Sequence, residues 1–135
     1  IHNRTDPSKK SLPRVFEVID RHLADYQKVI FHCFSYSPDI LDKIIEKKGF
    51  VSFSLNILRK KKDIIESLKR CPLANLLLET DSPYMRIGDK KSTPLDIGKV
   101  YSYVSYIKEI DQEVIEKEVY SNAKKVFSLE GIKKF

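Results

Sequence analysis

Asn75-Leu76-Leu77-Leu78-Glu79-Thr80-Asp81-Ser82-Pro83-Tyr84 is apolar through Leu78 and then turns to carboxylates, a hydroxyl and a proline. A short apolar run that ends this way reads as a buried strand whose C-terminal end opens into a loop. Two similar runs lie upstream, at residues 28–34 and 50–56, both rich in β-branched and aromatic side chains. Helical spacing fills the intervals. Ile40, Leu41, Ile44 and Ile45 form one stripe, with Ser37 as N-cap, Pro38 at the first helical position and Gly49 as the stop. Ile64, Ile65 and Leu68 form a second stripe in residues 60–69, ended before Pro72.

The same rhythm extends in both directions. Val15, Phe16, Ile19 and Leu23 predict a helix over 11–26, and Ile1-His2 reads as the tail of an earlier strand. Beyond the opening stretch, residues 82–93 are expected to be irregular. Ile97, Val100, Tyr101, Val104 and Ile107 then predict a helix over 94–110, followed by two more at 111–117 and 121–128. Near-continuously apolar strands alternating with helices indicate an α/β fold with parallel strands covered on both faces. The 135 residues form one expected domain, 1–135, with no low-complexity linker.

In an α/β barrel, chemistry collects at the C-terminal ends of the strands. Three predicted strands end in a residue able to bind a metal: His2, His32 and Asp81. Each also has a plainer reading. His32, between Phe31 and Cys33, could be a hydrogen-bonded core residue, and Asp81 before Ser82-Pro83 could be a turn or cap. Glu79 would share a side with Asp81, either orienting a ligand or accepting backbone N–H groups. Barrel geometry would aim all three strand ends at one place.

Composition narrows the class. With 41% hydrophobic and 33% charged residues the chain reads as globular, and no apolar run approaches the ~20 residues of a membrane span. Cys33 and Cys71 form no CxxC pair, which argues against a zinc knuckle or disulfide framework. The N-terminal residues lack the apolar segment of a signal peptide, so a cytoplasmic location, or a nuclear one, is expected. The net charge of +6 and the run Arg59-Lys60-Lys61-Lys62 favour polyanions, although such a run is commonly a solvated helix face. No Ser-His-Asp or Cys-His pattern competes, and no Gly-rich phosphate loop appears among 4 glycines.

The block from Leu76 to Tyr84 is similar to the LLLETDSPYL signature of TatD-type metal-dependent hydrolases. His32-Cys33-Phe34-Ser35 resembles the family's HxFSG segment, with Tyr36 in place of glycine, and His2-Asn3-Arg4 resembles its HSR segment. Thr93-Pro94 is similar to the N-E-P that opens the final barrel helix, and Asn122 to Phe127 to the closing N-x-x-x-x-F helix. The resemblance implies a (β/α)8 TIM-barrel hydrolase, a deoxyribonuclease of the exonuclease kind, cutting DNA phosphodiester bonds with divalent metal. Magnesium is the expected ion, with zinc or manganese as alternatives. His2, His32 and Asp81 match metal ligands, Asp81 also a catalytic role on the attacking water, and Arg4 a phosphate contact, a role suited to its planar fork.

The family's H-x-H pair and its G-E-x-G-L-D glutamate are absent, and His22, expected within a helix, is no substitute. A full barrel takes roughly 250 residues. The chain is therefore expected to be the C-terminal half of one, with the missing N-terminal half supplying further metal ligands. The alternatives are a hydrolase of another phosphoester or an amide, and a non-catalytic basic fragment that binds nucleic acid.

Overall fold

The computed structural model describes residues 11–22 and 25–129, so the predicted strand at Ile1-His2 lies outside the described residues. Three strands, β1 (Ile30–Phe31), β2 (Phe50–Phe53) and β3 (Leu76–Leu78), form a parallel sheet in the order β1-β2-β3. Spatial order follows chain order, as in a singly wound barrel wall, and no reversal of strand order occurs among them. The register pairs Phe31 with Val51 and Val51 with Leu76, so those side chains share a face. Ile30, Ser52 and Leu77 share the opposite one.

The helices are α1 (Ser11–Arg21), α2 (Pro38–Glu46), α3 (Lys62–Arg70), α4 (Ile97–Lys108) and α5 (Gln112–Val126). α2, α3 and α4 pack in succession, burying Leu41, Ile44, Ile64, Leu68, Val100 and Val104. The aromatic core couples the strands to one another, since the rings of Phe34 and Phe53 meet edge to face with centroids 5.6 Å apart.

Several boundaries differ from the sequence reading, each for a local reason. α1 ends at Arg21, because Asp25 opens a separate 3-10 turn, Tyr26–Lys28, its carboxylate accepting the Gln27 N–H at 2.9 Å. Ser54 likewise ends β2 early by capping the 3-10 segment Leu55–Arg59. Gly49 is not the left-handed stop of α2. Lys48 takes that conformation (φ 63°), its N–H bonding Ile45 O and the Gly49 N–H bonding Ile44 O. Gly49 is needed for space instead, since a Cβ there would lie 2.9 Å from Ile44 Cγ2.

Two further expectations are corrected. The two terminal helices are one, α5, because no Gly or Pro interrupts residues 112–126. Residues 82–93 are not wholly irregular: after the cis Ser82-Pro83 bond, β4 (Arg86–Ile87) and β5 (Lys90–Lys91) form a hairpin turning at Gly88, φ 58°. The run from Arg59 to Lys62 also lies off any single helix face. It spans the bend where Lys60 turns left-handed (φ 54°) between the 3-10 segment and α3.

Candidate metal centre

β1 and β3 deliver their C-terminal residues to the same rim of the sheet. His32 follows β1 directly, and Glu79 and Asp81 follow β3. The ladder continues past the strands, as the Glu79 N–H donates to Phe53 O at 3.0 Å and the Phe34 N–H to Ser52 O at 2.9 Å. Glu79 ties the two ends together. Its Oε1 accepts the Cys33 backbone N–H at 2.6 Å and lies 3.5 Å from His32 Nδ1. A carboxylate beside Nδ1 helps to fix the orientation of the imidazole ring.

Asp81 follows Glu79 by two residues, in the loop that leaves β3. Burial above all pushes the Cys33 thiol up to about 11, against the lowering effect of its Ser54 contact, and the negative charges of Asp81 and Glu79 nearby add to the rise. The Cys33 thiol thus stays protonated at neutral pH and meets Ser54 Oγ at 3.3 Å. Both Cys33 (φ 49°) and Asp81 (φ 54°) are left-handed, so the chain turns sharply next to His32 and at Asp81 itself. Asn56 steadies the turn after β1, donating to Phe34 O and Ser35 Oγ, each at 2.9 Å.

A cleft of about 410 Å³ lies beneath, with His32, Glu79, Ser52 and Leu77 on the sheet side and Val119, Ala123 and Phe127 on α5. Ser52 is buried and its Oγ has no hydrogen-bond partner. α5 is fastened to the start of β3 by Asn122, whose Nδ2 donates to Leu73 O at 2.7 Å and Leu76 O at 2.9 Å.

Of the residues singled out in the sequence, the structure brings His32 and Glu79 together, with Asp81 in the loop just beyond Glu79, and His2 and Arg4 lie outside the described residues. No group of three His, Cys, Asp or Glu able to hold a metal occurs among the described residues. An imidazole and a carboxylate at one strand-end rim are donor types that divalent cations accept, and the unpartnered Ser52 hydroxyl lines the same cleft. Sequence reasoning missed Cys33, Ser54 and Asn56, which shape the rim by hydrogen bonding. The Ser-Leu-Asn sequence at 54–56, directly after an apolar strand, was the available signal.

Chain-ordered parallel strands, outer helices and polar strand ends on one rim define an α/β chain of the barrel-wall type. The TatD related DNase family matches residues 1–128, and the chain belongs to that family. A metal-dependent hydrolase of Mycoplasma genitalium, MG009, itself uncharacterized, is 32% identical over 123 residues, covering 84% of this chain and 47% of the relative. A Xenopus laevis protein whose name proposes a deoxyribonuclease, tatdn3-B, is 30% identical over 104 residues, 75% of this chain and 39% of its own length. The structure of the TatD homolog YJJV from Escherichia coli superposes with a TM-score of 0.79 at 19% identity, covering 89% of this chain and 48% of that one. A TatD family hydrolase from Entamoeba histolytica gives 0.76, also at 19% identity, over 87% of this chain and 48% of its own. The fold is therefore that of the TatD proteins, and the chain spans about half the length of the relatives it matches. No helix among the described residues is long and apolar enough to cross a membrane.

Proposed function

We propose that this chain, a single domain over 1–135, is the C-terminal half of a (β/α)8 metal-dependent hydrolase that cleaves DNA phosphodiester bonds. The observation that carries the reading is Glu79 bridging the ends of β1 and β3, its Oε1 accepting the Cys33 N–H and lying 3.5 Å from His32 Nδ1, with Asp81 two residues further along the chain. Family membership and the deoxyribonuclease name of the Xenopus relative support DNA as the substrate.

His32 and Asp81, with His2 from the preceding strand, would hold a divalent cation, magnesium first and zinc or manganese as alternatives. Such a cation lowers the pKa of water and neutralises charge on phosphoryl oxygens. Glu79 orients the His32 ring, Asp81 positions the attacking water and takes its proton, and Arg4 binds a phosphate oxygen. The other half of the barrel supplies the remaining ligands. A non-catalytic nucleic-acid-binding fragment is the second reading, favoured by the lack of a three-donor cluster among the described residues and by the net charge of +6.

The test is magnesium-dependent release of nucleotides from DNA by the full-length protein, both halves of the barrel present, with a phosphomonoester and an amide substrate assayed in parallel. Asp81→Asn should lower DNA hydrolysis on the order of a hundredfold or more while the circular dichroism spectrum is unchanged. A fully active Asp81→Asn protein ends the proposal. Binding without hydrolysis at any metal concentration moves the assignment to the second reading.

A further inference from the structure

Away from the strand-end cluster, α4 carries a shallow open groove of about 450 Å³ lined by Leu58, Gly98, Lys99, Ser102, Tyr103 and Tyr106. Tyr106 is 75% exposed, and its ring lies 6.3 Å from that of Tyr103, tilted by 34°. Two aromatic faces one helical turn apart present flat apolar surface to water. Gly98 keeps the groove bare. Nothing lies within 4 Å of where its Cβ would be, so neither packing nor a left-handed turn requires glycine in this first turn of a helix it weakens.

Leu58, one wall of the groove, runs directly into Arg59, Lys60, Lys61 and Lys62, all exposed. The bend at Lys60 keeps these cations off any single helix face, in the stretch that directly follows the groove's Leu58 wall. Arg59 Nη2 also touches Met85 Sδ at 4.0 Å, in the loop that leaves Asp81, and that loop adds exposed Arg86, Lys90 and Lys91. Lys99 is committed to Asp96 at 2.7 Å and contributes mainly its stem. A basic rim therefore connects the Asp81 loop with the aromatic groove.

From this juxtaposition we infer that the groove is a docking site for single-stranded DNA, bases stacking on Tyr106 and Tyr103 and phosphates meeting the Arg59–Lys62 bend. Flat rings beside cations match a strand whose bases are free, whereas a duplex hides its base faces and needs only the charge. The inference deepens the DNA reading given above by assigning it a surface outside the metal centre.

The experiment is fluorescence anisotropy of a labelled oligothymidylate with the full chain in EDTA, where cleavage plays no part. Tyr106→Ala and Gly98→Glu should each weaken binding roughly tenfold, the loss of about one stacked base. Tyr106→Phe should bind like the parent. An abasic strand of equal length should bind more weakly to the parent and be indifferent to Tyr106→Ala. Lys60→Glu should weaken both strands and flatten their salt dependence. Unchanged affinity in Tyr106→Ala, or an equal loss for the abasic strand, overturns the inference. So does a dimer in sedimentation that Gly98→Glu abolishes without affecting the oligonucleotide. Because metal is chelated in the binding assay, the two readings fail separately: a full-length protein, both barrel halves present, that binds through the groove yet never hydrolyses DNA refutes the nuclease reading alone, and a hydrolysing one indifferent to Tyr106 refutes the groove alone.

Discussion

At the residue scale, Glu79 carries two duties that a pair of substitutions separates. Its Oε1 accepts the Cys33 N–H at 2.6 Å and stands 3.5 Å from His32 Nδ1. Glu79→Ala leaves a part-buried N–H without its acceptor and should cost about 1–3 kcal/mol in urea unfolding. Glu79→Gln retains an acceptor, so stability should change far less. It removes the charge beside the imidazole, however, and calorimetric manganese affinity should fall roughly 10–100-fold. Equal affinity in Glu79→Gln and the parent would confine Glu79 to a backbone role. The strand-end positions of His32 and Asp81 were legible in the sequence, because apolar runs announce where strands stop. The positive φ of Cys33 and Asp81 was not, since neither residue type demands it and the surrounding hydrogen bonds impose it.

At the scale of elements, the end of α2 shows why boundaries are harder to read than the elements they bound. A glycine after an amphipathic stripe ordinarily marks the left-handed residue, but here Lys48 is left-handed and Gly49 is squeezed between Ile44 and Phe31. The stripe sets where the helix lies; the identity of the cap depends on what β1 and α2 leave room for. Substitutions should report the division. Lys48→Gly relieves the left-handed cost and should stabilise by about 0.4–1 kcal/mol. Gly49→Ala drives a methyl against Ile44 and should destabilise by about 1–3 kcal/mol. Urea midpoints measure both, and a stabilised Gly49→Ala would show that the Ile44 side chain yields freely. The merging of the two terminal helices into α5 has a related cause. Burial of Ile115, Val119, Asn122 and Val126 along one continuous face carries the helix through the polar residues at 116–118 and 121.

For the molecule as a whole, the α/β class was open to a sequence reading because it rests on alternating periods, which buried strands and outer helices impose on every turn of the chain. The way the layers lock together was not. Lys108 near the end of α4 donates to Cys71 O at 2.6 Å and to Lys69 O at 3.3 Å, closing α4 onto the end of α3 across 37 residues. Burial there acts on both partners, pushing the Cys71 thiol up to about 12 against the pull of the Lys108 charge, and the Lys108 ammonium down. The two respond to alkali with opposite sign. Cys71, raised in the folded chain from an ordinary 9.0, contributes stability that is complete below pH 9 and is lost as pH climbs toward 12. Lys108, lowered, favours folding more as pH rises toward its unfolded value of 10.5. Tyr26, held up to about 12 by burial and by its bond to Asp20, adds to the alkaline loss. Cys71 is 1% exposed, so its share is little screened and should amount to about 2 kcal/mol between pH 7 and pH 10.5. Cys71→Ala should lower stability at pH 7 yet lose distinctly less than the parent over that interval, measured as the drop in urea-unfolding free energy. A variant whose alkaline loss equals the parent's would mean that the junction of α3 and α4 opens before the thiol ionises.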